Sequence, residues 1–160
     1  MRHMGRILLA LALCFCFQTQ AFALNGRLFE VVFSQSGERF AVTEEVLAQL
    51  PTRSFDARPP DDEKVIHHVS GPLLRDVFRF AGMSGSKVLV KALDGYEMEI
   101  PMSDFQQFDV IAATEMDGRR LDVRDLGPAW ILYHNVDNPD LNGPLYASRS
   151  VWQIKEIVVE

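Results

Sequence analysis

The sequence predicts an α+β domain, with a mixed sheet or partly closed barrel and short helices at its edges. Three observations carry this expectation. Short runs rich in Val, Ile and Phe outnumber the helix-patterned stretches. Many of them return through tight-turn signals, at residues 34–37 (Ser-Gln-Ser-Gly), Asp94-Gly95 and Asp117-Gly118. Helical periodicity is confined to brief segments near residues 44–50, 72–81 and 103–106.

Taken in order, residues 28–33 read as a strand and residues 39–42 as its returning partner. Thr43 suits a helix cap, with Glu44 and Glu45 in the first turn, where the helix dipole favours acids. Val46, Leu47 and Leu50 form that helix's inner face, and Pro51 ends it. Residues 52–64 are polar and lack a period, which predicts an exposed loop. Residues 65–69 read as a strand carrying His67 and His68. Pro72 suits the first position of a helix whose inner residues are Leu74, Val77, Phe78 and Ala81, stopped by Gly82. Residues 87–93 and 96–100 read as a hairpin, with Glu97 and Glu99 pointing outward. Residues 103–106 match a capping box. Residues 110–116 and 121–123 flank Asp117-Gly118 as a second hairpin. Residues 129–133 form an apolar strand, residues 135–148 a long polar loop, and residues 151–159 the last strand.

The first residues have another purpose. Arg2, His3 and Arg6 precede an apolar run at residues 7–17, followed by polar residues 18–20 and the small-residue site Ala21-Phe22-Ala23. This order of charge, apolar run and A-x-A is that of a cleavable secretory signal peptide, residues 1–23. The run is shorter than the roughly 20 residues a membrane span needs. Residues 24–160 are then expected to form one exported domain. Both cysteines, Cys14 and Cys16, leave with the leader, and with them any disulfide, thiol nucleophile or thiolate ligand. The formal net charge is −6, and loss of Arg2 and Arg6 makes it two units more negative. Such a surface repels phosphate backbones and anionic membranes, so nucleic acid and membrane insertion are not expected among the partners.

Several segments, individually common, occur in an informative order. They are residues 71–76 (Gly-Pro-Leu-Leu-Arg-Asp), Asp94-Gly95-Tyr96 with Ile100-Pro101, and residues 109–112 (Asp-Val-Ile-Ala). Residues 116–121 (Met-Asp-Gly-Arg-Arg-Leu), Gly127-Pro128 before an apolar strand, and residues 149–157 (Arg-Ser-Val-Trp-Gln-Ile-Lys-Glu-Ile) complete the set. Over residues 28–160 this order resembles the sulfite-oxidase-type molybdopterin-binding domain, and most closely its short exported members. The resemblance implies that family's mixed α/β fold, a pterin cleft and, with the leader, a periplasmic location. In catalytic members a cysteine thiolate binds molybdenum and basic residues hold the cofactor. The resemblance puts that cysteine near residues 53–56, where this chain has Arg53, Ser54, Phe55 and Asp56. It puts a lysine at Trp152 and an arginine at Trp130. A hydroxyl such as that of Ser54 is a harder donor than a thiolate. The implied reading is a non-catalytic relative with no cofactor. A molybdopterin-dependent oxidoreductase using Ser54 or pterin contacts alone is one alternative, and a periplasmic structural or interaction protein another.

The residues themselves suggest a binding site. The polar segment 135–148 leads into Tyr146, Arg149 and Trp152. Arg149 offers a fork to a carboxylate or phosphate, and Trp152 a flat face, which suits a small anion or a partner such as the outer domain of a membrane sensor. The alternative has Arg149 paired with a nearby Asp and Trp152 in the core. Trp130, on its apolar strand, is a core residue or a ligand contact. The candidate ligand-binding set is thus Arg149, Trp152, Tyr146, Arg53, Ser54 and Trp130. Adjacent His67 and His68 on a strand point to opposite faces and are poorly placed to share a metal. No serine sits in a G-x-S-x-G context.

Overall fold

The computed structural model describes residues 26–60 and 64–160. Residues 1–25, which include the segment expected to be a signal peptide, lie outside the described residues, as do Asp61, Asp62 and Glu63.

The expected α+β class is the observed one, without a closed barrel. A five-stranded sheet has the order β2-β1-β11-β5-β6. It comprises β1 (Arg27–Phe33), β2 (Arg39–Thr43), β5 (Lys87–Ala92), β6 (Glu97–Pro101) and β11 (Ile154–Val159). The pair β1–β11 is parallel and the other pairs are antiparallel, so the sheet is mixed. A four-stranded antiparallel sheet orders β3 (Thr52–Ala57), β4 (His67–Pro72), β8 (Glu115–Met116) and β9 (Arg119–Arg120). Between the two cores runs a short antiparallel pair, β7 (Val110–Ala113) and β10 (Trp130–Tyr133).

All eight residues of β7 and β10 are buried. Alternate side chains of a strand face opposite ways. Val110, Ala112, Ile131 and Tyr133 therefore enter the larger core, with Val31, Val90 and Ile157 of the five-stranded sheet. Ile111, Ala113, Trp130 and Leu132 enter the smaller core, with Phe55, Ala57, Val69 and Leu121. A strand buried on both faces reads as an unbroken apolar run, which is how residues 129–133 read in the sequence.

The helices are short. In α1 (Glu44–Leu47), Thr43 Oγ1 accepts the Val46 N–H at 3.3 Å, as its cap position predicts. In α2 (Leu74–Phe80), Leu74, Val77 and Phe78 are buried. Gly82 ends it at φ +70°, its N–H donating to Arg79 O and the Met83 N–H to Phe78 O, a Schellman closure. In α3 (Met102–Gln107) the capping box does not form: the cap position is Pro101, and Ser103 lies inside the helix.

Other boundaries also move. Residues 52–57 are strand β3 rather than loop, because Phe55 and Ala57 alternate into the smaller core beneath exposed Arg53, Ser54 and Asp56. Pro72 closes β4 opposite Thr52 instead of opening α2. Gly71 lies so close to β7 that an added Cβ would stand 2.0 Å from Ala112 O. The hairpin at Asp117-Gly118 joins β8 and β9, a shorter pair than predicted, with Asp117 at φ 51° and Gly118 at φ 74°. The polar segment 135–148 holds a 3-10 turn (Pro139–Asn142) and α4 (Pro144–Arg149), whose Pro144 sits in the first turn. The last strand starts at Ile154 rather than residue 151, since Gln153 adopts φ 50° and breaks the extended run.

Candidate functional site

The β5–β6 turn and the end of α4 come from distant parts of the chain and face each other. The Tyr96 hydroxyl donates to Ser148 O at 3.1 Å and ties them together. Beside this bond opens a cavity of about 330 Å³, within the size range of small-molecule sites. Asp94 and Tyr96 of the turn, Ser148 and Ser150 of the α4 end, Trp152 and Pro60 are among its lining residues.

Trp152 is 38% exposed and Tyr96 43%. Trp152 stands edge-on to Trp130, with ring centroids 6.3 Å apart and planes at 81°. Trp130 itself is fully buried, and its Nε1 donates to Ser150 O at 3.0 Å. The cleft beside Trp152 is therefore open. Trp130 supports its wall from within the smaller core and does not fill it.

The hydroxyl donors of the lining are all engaged. Besides Tyr96, Ser148 Oγ donates to Leu145 O at 2.8 Å and Ser150 Oγ to Tyr146 O at 2.9 Å. Asp94 Oδ1 accepts the Tyr96 N–H at 2.9 Å. Among the described residues no Lys, Arg or His lines this cavity.

Arg149 is close in sequence but faces elsewhere. Its Nη1 donates to Asp104 Oδ2 at 2.8 Å, and the Tyr133 hydroxyl donates to the same oxygen at 2.8 Å. Asp104 is 6% exposed. Burial, then the Asp104 charge and hydrogen bond, push the Tyr133 hydroxyl well above the usual phenol range. Arg149 also lies over the Tyr146 ring, 5.7 Å from its centroid. Tyr146 packs against Tyr133 and Phe108 and lines a second, much smaller cavity of about 20 Å³, with Arg58 and Asn135. Of the sequence-predicted set, then, Trp152 alone lines the cavity beside Tyr96. Arg149, expected to contact a small anion or to pair with a nearby Asp, is paired with buried Asp104 and does not line this cavity.

Arg53 and Ser54 do not line the cavity either. Arg53 pairs with Asp109 at 3.0 Å, beside Arg75 at 2.8 Å. Burial opposes ionisation of Asp109, but the Arg75 hydrogen bond and the charges of Arg75 and Arg53 hold its carboxyl below the usual range. Ser54 is exposed on β3 opposite Ser70. Adjacent His67 and His68 have separate carboxylates, as their opposite faces predict: His67 Nδ1 lies 2.6 Å from Asp117 and His68 Nδ1 2.9 Å from Asp56, while His134 Nε2 lies 2.9 Å from Asp137. Among the described residues no three His, Cys, Asp or Glu converge as metal ligands. Sequence reasoning missed Tyr96 and Asp94 as wall residues. Their only signal was an aromatic following a tight Asp-Gly turn.

No family model matches this sequence, and no curated protein matches it. Among solved structures, the fold is similar to that of the sulfane dehydrogenase SoxCD from Paracoccus pantotrophus, with a TM-score of 0.61 at 13% identity. The match covers 83% of this chain and 38% of that chain, so this chain spans less than half of its length. At this identity the likeness is one of fold. It is a distant fold relationship to an oxidoreductase component.

The side chains of this cavity do not suit the molybdenum cofactor that the sequence resemblance implies. A phosphorylated pterin needs several cationic or free N–H donors, whereas this cavity presents engaged hydroxyls, a carboxylate and aromatic faces, with Trp152 Nε1 as its single unpartnered side-chain donor among the described residues. Ser54, the one hydroxyl proposed as a metal donor, is not in the cavity.

Proposed function

We propose that this chain is a non-catalytic, exported binding domain built on the sulfite-oxidase-type molybdopterin-binding fold, and that it holds a small ligand between Tyr96 and Trp152. The observation that carries the reading is the cavity itself: an open, aromatic-walled cleft with Trp152 at the position where the sequence resemblance puts a basic residue. Fold and site are separable, so a dehydrogenase-like scaffold can serve binding alone. The leader supports a periplasmic location, where the loaded domain would signal to the outer part of a membrane protein. The anionic ligand expected from Arg149 is not part of the proposal, because Arg149 is committed to Asp104.

The likeness to a dehydrogenase supports one other reading, an oxidoreductase that retains the cofactor without a cysteine ligand. Protein purified from the organism that makes it separates the two. Metal analysis and pterin fluorescence are expected to show neither molybdenum nor pterin, and N-terminal sequencing to start at Leu24. Stoichiometric molybdenum with pterin would overturn the non-catalytic reading.

A further inference from the structure

We infer that the Tyr96–Trp152 cavity takes a small organic cation, an ammonium carried on an apolar or aromatic body; this rests on the cavity being a ligand site. Recognition of an anion needs donors. The Tyr96, Ser148 and Ser150 hydroxyls already donate to carbonyl oxygens at 2.8 to 3.1 Å, which leaves Trp152 Nε1 as the side-chain donor of the lining without a partner among the described residues. Acceptors and π-faces remain. Asp94 is exposed, and while its Oδ1 caps the turn, its Oδ2 has no hydrogen-bond partner among the described residues. Tyr96 and Trp152, both more than a third exposed, border the same cavity as this carboxylate.

A carboxylate beside two electron-rich rings is the arrangement that holds an ammonium group, through charge and cation–π attraction together. The apolar lining, with Ala92, Ala147, Val151 and Pro60, suits the hydrocarbon part. Arg149, which lies between the lining residues Ser148 and Ser150 in sequence, does not oppose a cation, since it is paired with Asp104. The net charge of −6 draws cations towards the molecule as a whole.

Calorimetric titration of the purified protein with three probes of similar shape tests this: phenethylammonium, phenethyl alcohol and hydrocinnamate. The ammonium is expected to bind about tenfold more tightly than the alcohol, with the carboxylate weakest. Asp94→Asn keeps the oxygen that caps the turn and is expected to bring the ammonium down to the level of the alcohol. Trp152→Ala, with unchanged circular dichroism, is expected to abolish binding of all three. Equal binding of alcohol and ammonium, tighter binding of hydrocinnamate, or an unchanged ammonium affinity in Asp94→Asn overturns the cation assignment and leaves the cleft reading standing. Alcohol binding that is lost in Trp152→Ala, with no preference for the ammonium, overturns the cation assignment alone, whereas failure of all three probes at millimolar concentration, or binding that Trp152→Ala leaves unchanged, overturns the cleft reading as well.

Discussion

Replacing Arg149 by methionine keeps most of the side chain's volume and removes its charge. Asp104 would then be a carboxylate, 6% exposed, with the Tyr133 hydroxyl as its remaining partner. Breaking a buried ion pair by deleting one member costs about 3–5 kcal/mol. The lower end applies here, because the Arg149 side chain is 14% exposed and the tyrosine bond survives. With a urea m-value of about 2 kcal/mol per molar, a loss of about 3 kcal/mol moves the unfolding midpoint down by about 1.5 M. Asp104→Asn removes the unpaired charge and keeps an acceptor for Tyr133. The double variant should therefore be more stable than the two single losses added together, with a coupling of about 1.5 kcal/mol or more. Urea unfolding of the four proteins followed by circular dichroism measures this. If Arg149→Met lowers stability by less than about 0.5 kcal/mol, or if the two losses add, the ion pair is not the structural contact described and Arg149 is free for other work.

Trp152→Phe should leave an emission spectrum that is blue-shifted and resistant to acrylamide quenching, because buried Trp130 is the remaining indole; strong quenching would contradict its burial. Gly71→Ala should cost about 3 kcal/mol by thermal or urea unfolding, since the new methyl meets the Ala112 carbonyl at 2.0 Å and backbone on both sides must shift. Asp109 has a folded-state carboxyl held below its ordinary 3.8, so its stabilising effect is present above that pH and fades as pH falls through the folded value. The stability gap between the wild type and Asp109→Asn should accordingly be constant near neutrality and close below about pH 4; a gap that widens in acid would reverse the sign argued here. Tyr133 carries the opposite linkage: its hydroxyl is raised above the ordinary 10.0, so its bond to Asp104 stabilises the fold below that value and alkaline loss should be smaller in Tyr133→Phe.

The elements that were legible share one property, a pattern with a single strong period. Residues 87–92 alternate, α2 repeats Leu74, Val77 and Phe78 at helical spacing, and β10 is apolar throughout. Strand β3 was missed because the residues around its inward Phe55 and Ala57 are Arg53, Ser54 and Asp56, polar enough to read as a loop. Helix α4 was missed because six residues between Gly143 and Ser150 hold barely two turns, and Pro144 was taken as a loop residue rather than a helix start. Trp152 could be singled out from sequence because exposed polar residues lead up to it. Tyr96 and Asp94 could not be joined to it. They lie over 50 residues away, and only the return of β11 beside β5 brings the turn against the end of α4.

The doubly buried β7–β10 pair has a further consequence. Because one short ribbon forms a wall of both apolar interiors, neither interior can come apart while the other stays intact. The chain should melt as one cooperative unit, with the amides of residues 110–113 and 130–133 among the last to exchange with deuterated solvent. It also links the cleft to the rest of the molecule. Trp130, which braces Trp152, is a neighbour in the same strand of Ile131, whose side chain reaches the opposite interior, so occupancy at the surface should be felt as rigidity on the far side of the ribbon.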